Sequence, residues 1–267
     1  MSVSIFKKIA VVTGASSGIG AVYADRLAAR GYDLVIVARR ADRLEAVSEK
    51  ILKTYAGTKI EVIVADLAKE SDLVHVEKVL ATNPAVHVLV NNAGLARLAP
   101  IAQAPVQQSL AQIALNITSV TRLTHAVLPA LLSRNDGVIV NIASVLAIHS
   151  LPVSSVYSGT KAFVLTFSRG LQDELAGTGV KVQVVLPAST ATEIWDASGL
   201  PLSALDQDTV MTAENLVDAA LAGLDKGEAI TWPTVADASL WDMYDAARST
   251  LFAATQTGKP AARYNAA

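Results

Sequence analysis

The sequence contains no cysteine. That excludes disulfides, thiolate metal sites and cysteine nucleophiles, and it fits a reducing compartment. Charge is scarce: Asp, Glu, Lys and Arg together make up 17% of the residues and the formal net charge is −2. No basic excess therefore points to nucleic acid or to an anionic membrane. Long apolar runs are missing too. None approaches the roughly 18 uninterrupted apolar residues that a spanning helix requires, and Met1 to Lys8 lacks the charged-then-apolar order of a secretion signal. The expectation is a soluble cytoplasmic protein with no metal centre. What the chain does have is apolar bulk, 52% of 267 residues, enough for a large core in a single domain spanning 1–267.

Short Val- and Ile-rich runs alternate with longer stretches of helical period. Ile9–Thr13, Leu34–Ala38, Ile60–Val64, Val86–Val90, Val138–Ile142 and Val182–Leu186 read as strands, and Ala229–Trp232 as a short last one. Most show little in/out alternation, as expected for strands buried on both faces of a parallel sheet. Between them Ile19–Arg30, Ala41–Tyr55, Ser71–Ala81, Val106–Ser133 and Ser154–Leu175 read as helices, several ending at Gly or Pro. The alternation predicts an α/β fold: a doubly wound parallel sheet of about seven strands, with helices on both faces. Residues 188–210 form a long aperiodic segment of the kind that often serves as a substrate loop. A helix and tail follow at the carboxyl end.

Thr13-Gly-Ala-Ser-Ser-Gly-Ile-Gly20 directly follows the first strand. Gly14 permits the tight turn, Gly18 lets backbone approach a pyrophosphate, and Gly20 lets the next helix pack on the sheet, as in a Rossmann dinucleotide site. After the second strand, where an NAD-preferring site places a carboxylate, stand Ala38, Arg39 and Arg40. A guanidinium there binds a 2′-phosphate, so NADP(H) is the expected cofactor with some NAD(H) use allowed. Arg39 is the expected clamp, aided by Ser16; Arg40 and Arg43 also read as a solvated helix start. Further on, Tyr157 and Lys161 stand four apart at the start of a helix and share one face. A nearby cation favours phenolate and lowers a tyrosine pKa toward that of a working acid/base. Ser144, just past a strand, has a hydroxyl fit to donate to a carbonyl oxygen.

With these residues the chain resembles the short-chain dehydrogenase/reductase family over roughly Lys8 to Ala229. Asp66, Asn91-Asn-Ala-Gly94 and Asn116 complete the match. The resemblance implies that the turn through Ser16, Ser17, Gly18 and Ile19 holds the cofactor phosphates and that Asp66 with Leu67 touches the adenine. It implies that Asn91 braces the sheet while Asn92, Ala93 and Gly94 line the cofactor. Asn116 would hold a water that relays protons to Lys161, which also binds the nicotinamide ribose, and Tyr157 would shuttle the substrate proton. Pro187 and Thr192, or Thr190 in its place, would flank the carboxamide. Read locally, Asp66 is also an ordinary helix cap and Asn116 an ordinary backbone-bonding residue. One departure is Ala188, where the family usually has glycine.

Leu95, Leu146, Ile148, His149 and Trp195, with Trp232, are the expected walls of a mainly apolar substrate pocket, suited to a small ketone, aldehyde or alcohol. Arg97 is the one candidate for binding a carboxylate and is expected to be exposed. The family resemblance implies a homodimer or homotetramer through the long helices. An NADPH-binding sensor without turnover is the alternative, although it has no need of a proton relay. Dehalogenating relatives lack the lysine, so Lys161 argues against that chemistry.

Overall fold

The computed structural model describes residues 7–264. Residues 1–6, most of the segment read for a secretion signal, lie outside the described residues, as do 265–267. In chain order the elements are β1 (Ile9–Thr13), α1 (Gly18–Ala29), β2 (Asp33–Ala38), α2 (Ala41–Thr54), β3 (Ile60–Val64), α3 (Glu70–Thr82) and β4 (Val86–Asn91). There follow α4 (Val106–Ile113), a π-helical turn (Ala114–Thr118), α5 (Ser119–Arg134), β5 (Gly137–Ile142), α6 (Ser155–Glu174), β6 (Val180–Val185), α7 (Ala213–Asp225), β7 (Ile230–Thr231) and α8 (Ser239–Ala254).

The strands form one seven-stranded sheet in the order β3-β2-β1-β4-β5-β6-β7, every neighbouring pair parallel. Successive strand residues serve opposite faces. Ala10, Val12, Leu34 and Ile36 pack with Tyr23, Leu27, Leu44 and Leu216 from α1, α2 and α7. Val11, Val35 and Val37 pack with Leu73, Leu80, Leu123, Val127 and Leu171 from α3, α5 and α6. This is the expected doubly wound architecture. The strand order reverses between β1 and β4, and in such sheets ligands bind outside the carboxyl ends at that point.

Two differences from the sequence reading have physical causes. The stretch read as one helix over Val106–Ser133 contains the π turn, where an extra residue is accommodated without breaking the helix. Helix α7 was not foreseen, although Thr212 caps it by accepting from Asn215 N–H at 3.1 Å and Leu216, Val217, Ala220 and Leu221 form its buried stripe. The chain falls into two compact units, Met1–Pro233 and Thr234–Ala267. The second contains α8, and none of its described residues is buried.

Several polar groups inside the sheet are paired across elements, although Asn91 Oδ1 and Gln183 Oε1 are left without a partner. Asn91 on β4 lies beside Asn141 on β5, and its Nδ2 donates to Asn141 Oδ1 at 2.9 Å and to Thr124 Oγ1 on α5 at 3.3 Å. Asn141 Nδ2 in turn donates to Ser168 Oγ on α6 at 2.9 Å. Leaving buried donors and acceptors unpaired costs more than the bond itself contributes. Asn141→Leu is therefore expected to lower unfolding stability by about 2–4 kcal/mol, measured as a drop in the urea midpoint at unchanged slope.

Candidate active site

Thr13 closes β1 and is almost fully buried. Its hydroxyl donates to Val90 O at 3.1 Å and accepts from the N–H groups of Asn92 and Ala93, each at 3.0 Å. The turn after β4 is thereby pinned to the turn after β1. Gly14 has φ +67°, a conformation that a side chain strains, and a Cβ there would meet Ala93 Cα at 2.9 Å. A Cβ on Gly20 would lie 2.3 Å from Gly14 O, so α1 can approach the turn only with glycine at that position. No side chain caps α1, which leaves its first N–H groups for an anion. These features fit a dinucleotide pyrophosphate.

Several expected contacts are redirected. The Asn92 side chain points into the protein, where Nδ2 donates to Thr13 O at 2.9 Å and Gly14 O at 3.3 Å, so it braces the turn instead of lining a ligand. Leu67 is buried in the core beneath α3 and α5, and Ile19 is half-buried against the core on the other face of the sheet. The two arginines leave the strand in different directions. Arg40, read as a solvated helix start, folds back over the glycine turn, with Nη2 donating to Ser16 Oγ at 3.0 Å and Ser17 Oγ at 2.9 Å. Arg39, the expected clamp, is exposed and lines a cleft of about 240 Å³ with Val64, Ala65, Asp66, Lys69 and Asp72. Consecutive residues leaving a strand point in different directions, and the sequence alone does not say which one faces the turn. Asp66 Oδ1 accepts from Ala68 N–H at 3.1 Å, a local turn rather than a helix cap.

Ser144 follows β5 and opens a short 3₁₀ turn, its Oγ accepting from Leu146 N–H at 3.1 Å and donating to Pro187 O at 3.5 Å. It also hydrogen-bonds the Tyr157 phenol. Lys161, one turn further along α6, lies 5.7 Å from the centre of the Tyr157 ring, and its Nζ donates to Ile142 O at 2.8 Å. Burial pushes the phenol up to about 12, opposed by the Ser144 bond, and burial lowers Lys161 to about 8. In both groups burial is the largest influence.

Asn116 sits in the π turn. Its Oδ1 accepts from Leu95 N–H at 2.8 Å, while Nδ2 donates to Leu95 O at 2.9 Å and Thr160 Oγ1 at 3.0 Å. Both amide hydrogens are committed to the protein, leaving little of the side chain for a water. Thr160, whose hydroxyl donates to Tyr157 O at 2.8 Å, ties this network to the catalytic helix. Sequence reasoning missed it, although its place beside Lys161 was a signal.

The segment after β6 covers the turn. Thr192 carries the methyl that a Cβ on Gly18 would approach to 3.0 Å, whereas Thr190 is buried, donates to Ala188 O at 3.1 Å and accepts from Trp195 Nε1 at 2.8 Å. Of the two threonines, Thr192 is the one beside the glycine turn. Leu95, Leu146 and Trp195 are half-buried, while Ile148 and His149 are exposed. Trp232 packs against a separate small cluster with Val164 and Leu186. Arg97, expected to be exposed, is half-buried, and its Nη1 donates to the carbonyls of Ala96 and Ala197.

The model of the short chain dehydrogenase family matches residues 8–200. Human 17-beta-hydroxysteroid dehydrogenase type 3 is 40% identical over 187 residues, 68% of this chain and 59% of that protein, so this chain spans under two thirds of that relative's length. A short-chain dehydrogenase from Sphingobium yanoikuyae in complex with NADPH superposes with a TM-score of 0.92 at 42% identity, covering 96% of this chain and 100% of that one. The bulky-bulky ketone specific alcohol dehydrogenase from Comamonas testosteroni gives 0.89 at 38% identity, covering 97% and 99%. With the glycine turn and the Ser144, Tyr157 and Lys161 cluster in place, this chain belongs to the short-chain dehydrogenase family.

Proposed function

We propose that the chain is an NADP(H)-dependent oxidoreductase interconverting a ketone or aldehyde and an alcohol, with Tyr157 as general acid and base. The observation that carries this reading is the meeting of Ser144, from the end of β5, with Tyr157 and Lys161 on α6 at the carboxyl edge of the sheet. When bound, the nicotinamide supplies or accepts the hydride. Everything else falls to the chain. The turn Gly14–Gly20 holds the pyrophosphate, Arg39 and Asp66 flank the adenine, and Arg40 with Ser16 and Ser17 takes the 2′-phosphate. Ala93, Gly94, Pro187 and Thr192 line the nicotinamide half, and Lys161 binds its ribose. Ser144 orients the substrate oxygen, and the protonated phenol of Tyr157 hands it a proton during reduction.

Leu95, Leu146 and Trp195 support a small, mainly apolar substrate. The Comamonas alcohol dehydrogenase, described as bulky-bulky ketone specific, supports a ketone as the substrate. An exposed stripe on α4, Val106, Leu110 and Ile113, supports self-association into a dimer or tetramer. Among the described residues no helix is long and apolar enough to cross a membrane, and the lack of cysteine agrees with a cytoplasmic enzyme.

Tyr157→Phe is expected to lower kcat for carbonyl reduction by about 10²–10⁴-fold while NADPH binding, followed by its fluorescence, stays near wild type. A wild type that binds NADPH yet turns over none of a broad panel of ketones and alcohols would favour the sensor reading. Because the Lys161 ammonium is the charged form below about 8, kcat/KM for reduction is expected to be flat at neutral pH and to fall as pH rises through that value. Arg40→Ala is expected to weaken NADPH binding by about 10–100-fold and NADH binding far less, as read by paired titrations.

A further inference from the structure

One ion-pair cluster plays no part in the proton chemistry. Glu193, directly after Thr192, reaches back to α2, where Arg40 Nη1 donates to its Oε2 at 2.7 Å and Arg43 donates to its Oε1. Arg40 simultaneously holds Ser16 and Ser17. Two guanidinium groups and two hydroxyls make a donor set suited to a phosphomonoester dianion. A carboxylate from the chain itself sits in it. Arg40 first, and then Arg43, holds Glu193 down at about 2, so it is ionised under all physiological conditions.

The contact also fixes a segment. Glu193 begins the short 3₁₀ turn Glu193–Ala197, and the far side of that turn is tied down separately, by Arg97 to Ala197 O and by Leu98 N–H to Ser198 O at 2.7 Å. Releasing Glu193 would therefore free Thr192 and Glu193, beside Gly18, while Ser189–Ala191 stay paired with Met211 and the trailing part stays anchored. The side chains of Arg40, Glu193 and Arg43 keep 42%, 40% and 44% of their surface in water, so the pairs are screened and readily exchanged for a better anion.

We propose that Glu193 is an internal stand-in for the 2′-phosphate of NADP(H). It occupies the Arg40–Arg43 clamp, latches the loop after β6 onto α2, and must be displaced before the phosphate can bind. The inference rests on the NADP(H) reading above and makes Glu193 a specificity-determining residue for the cofactor. A dinucleotide lacking the phosphate leaves the latch closed. One that carries it exchanges latch for ligand, and its apparent affinity is reduced by the fraction of molecules in which the clamp is taken.

Glu193→Gln keeps the side chain's size and removes its charge. Wild type, Glu193→Gln and Arg40→Ala would be titrated with NADPH and NADH, and amide hydrogen exchange over 188–210 followed with adenosine 2′,5′-bisphosphate or 5′-AMP. In Glu193→Gln, NADPH is expected to bind about 5–10-fold tighter and NADH within about twofold of wild type. The variant's loop should exchange faster without nucleotide. The bisphosphate, but not AMP, should speed exchange in wild type and have no such effect in the variant. Unchanged or weaker NADPH binding in Glu193→Gln, or equal tightening for both dinucleotides, would overturn the latch. If Arg40→Ala still loses NADPH preference in that case, the NADP(H) reading survives it. If wild type and Arg40→Ala both hold NADPH and NADH alike, that reading fails and the latch falls with it.

Discussion

The hydroxyl of Thr13 is the small contact on which the functional edge of this molecule depends. It stands where the strand order reverses and joins the turn leaving β1 to the turn leaving β4 through three hydrogen bonds. The backbone of one turn then leans on the other closely enough that Gly14 and Gly20 tolerate no side chain. Asn92 completes the joint from the opposite side. A concave backbone surface with outward N–H groups follows, and with it the geometry that an anionic dinucleotide requires.

Around that joint the electrostatics are set mainly by removal of water. Tyr157 and Lys161 are one helical turn apart, yet burial drives both toward their neutral forms, the phenol upward and the ammonium downward. Ser144 is what counters this for the phenol. Lys161 instead spends a proton on Ile142 O, the last residue of β5, which fixes its head group against the sheet. The site keeps its phenol protonated at neutral pH and brings the lysine's titration close to that range, where nearby charge can shift it.

Much of this was legible in the sequence because it is local. The buried strands, the strand-turn-helix around Gly14–Gly20 and the Tyr157/Lys161 spacing each lie within a short window, where period and composition act directly. What escaped is long-range. Arg40 rather than Arg39 faces the turn because of Ser16, Ser17 and Glu193, the last 153 positions away. Asn92 turned inward to carbonyls some 80 residues earlier in the chain. The π turn at Asn116 answers to Leu95 and Thr160, neither of them a neighbour in sequence. Helix α7 is the exception, a local signal of Thr212 and an apolar stripe that was legible and was passed over.

One margin of the sheet has a consequence for life at high protein concentration. β7 contributes two residues and pairs only with β6. An outer strand so short offers almost no row of unpaired amides and carbonyls onto which a foreign strand could zip. At that margin, molecules can meet side by side without their sheets fusing.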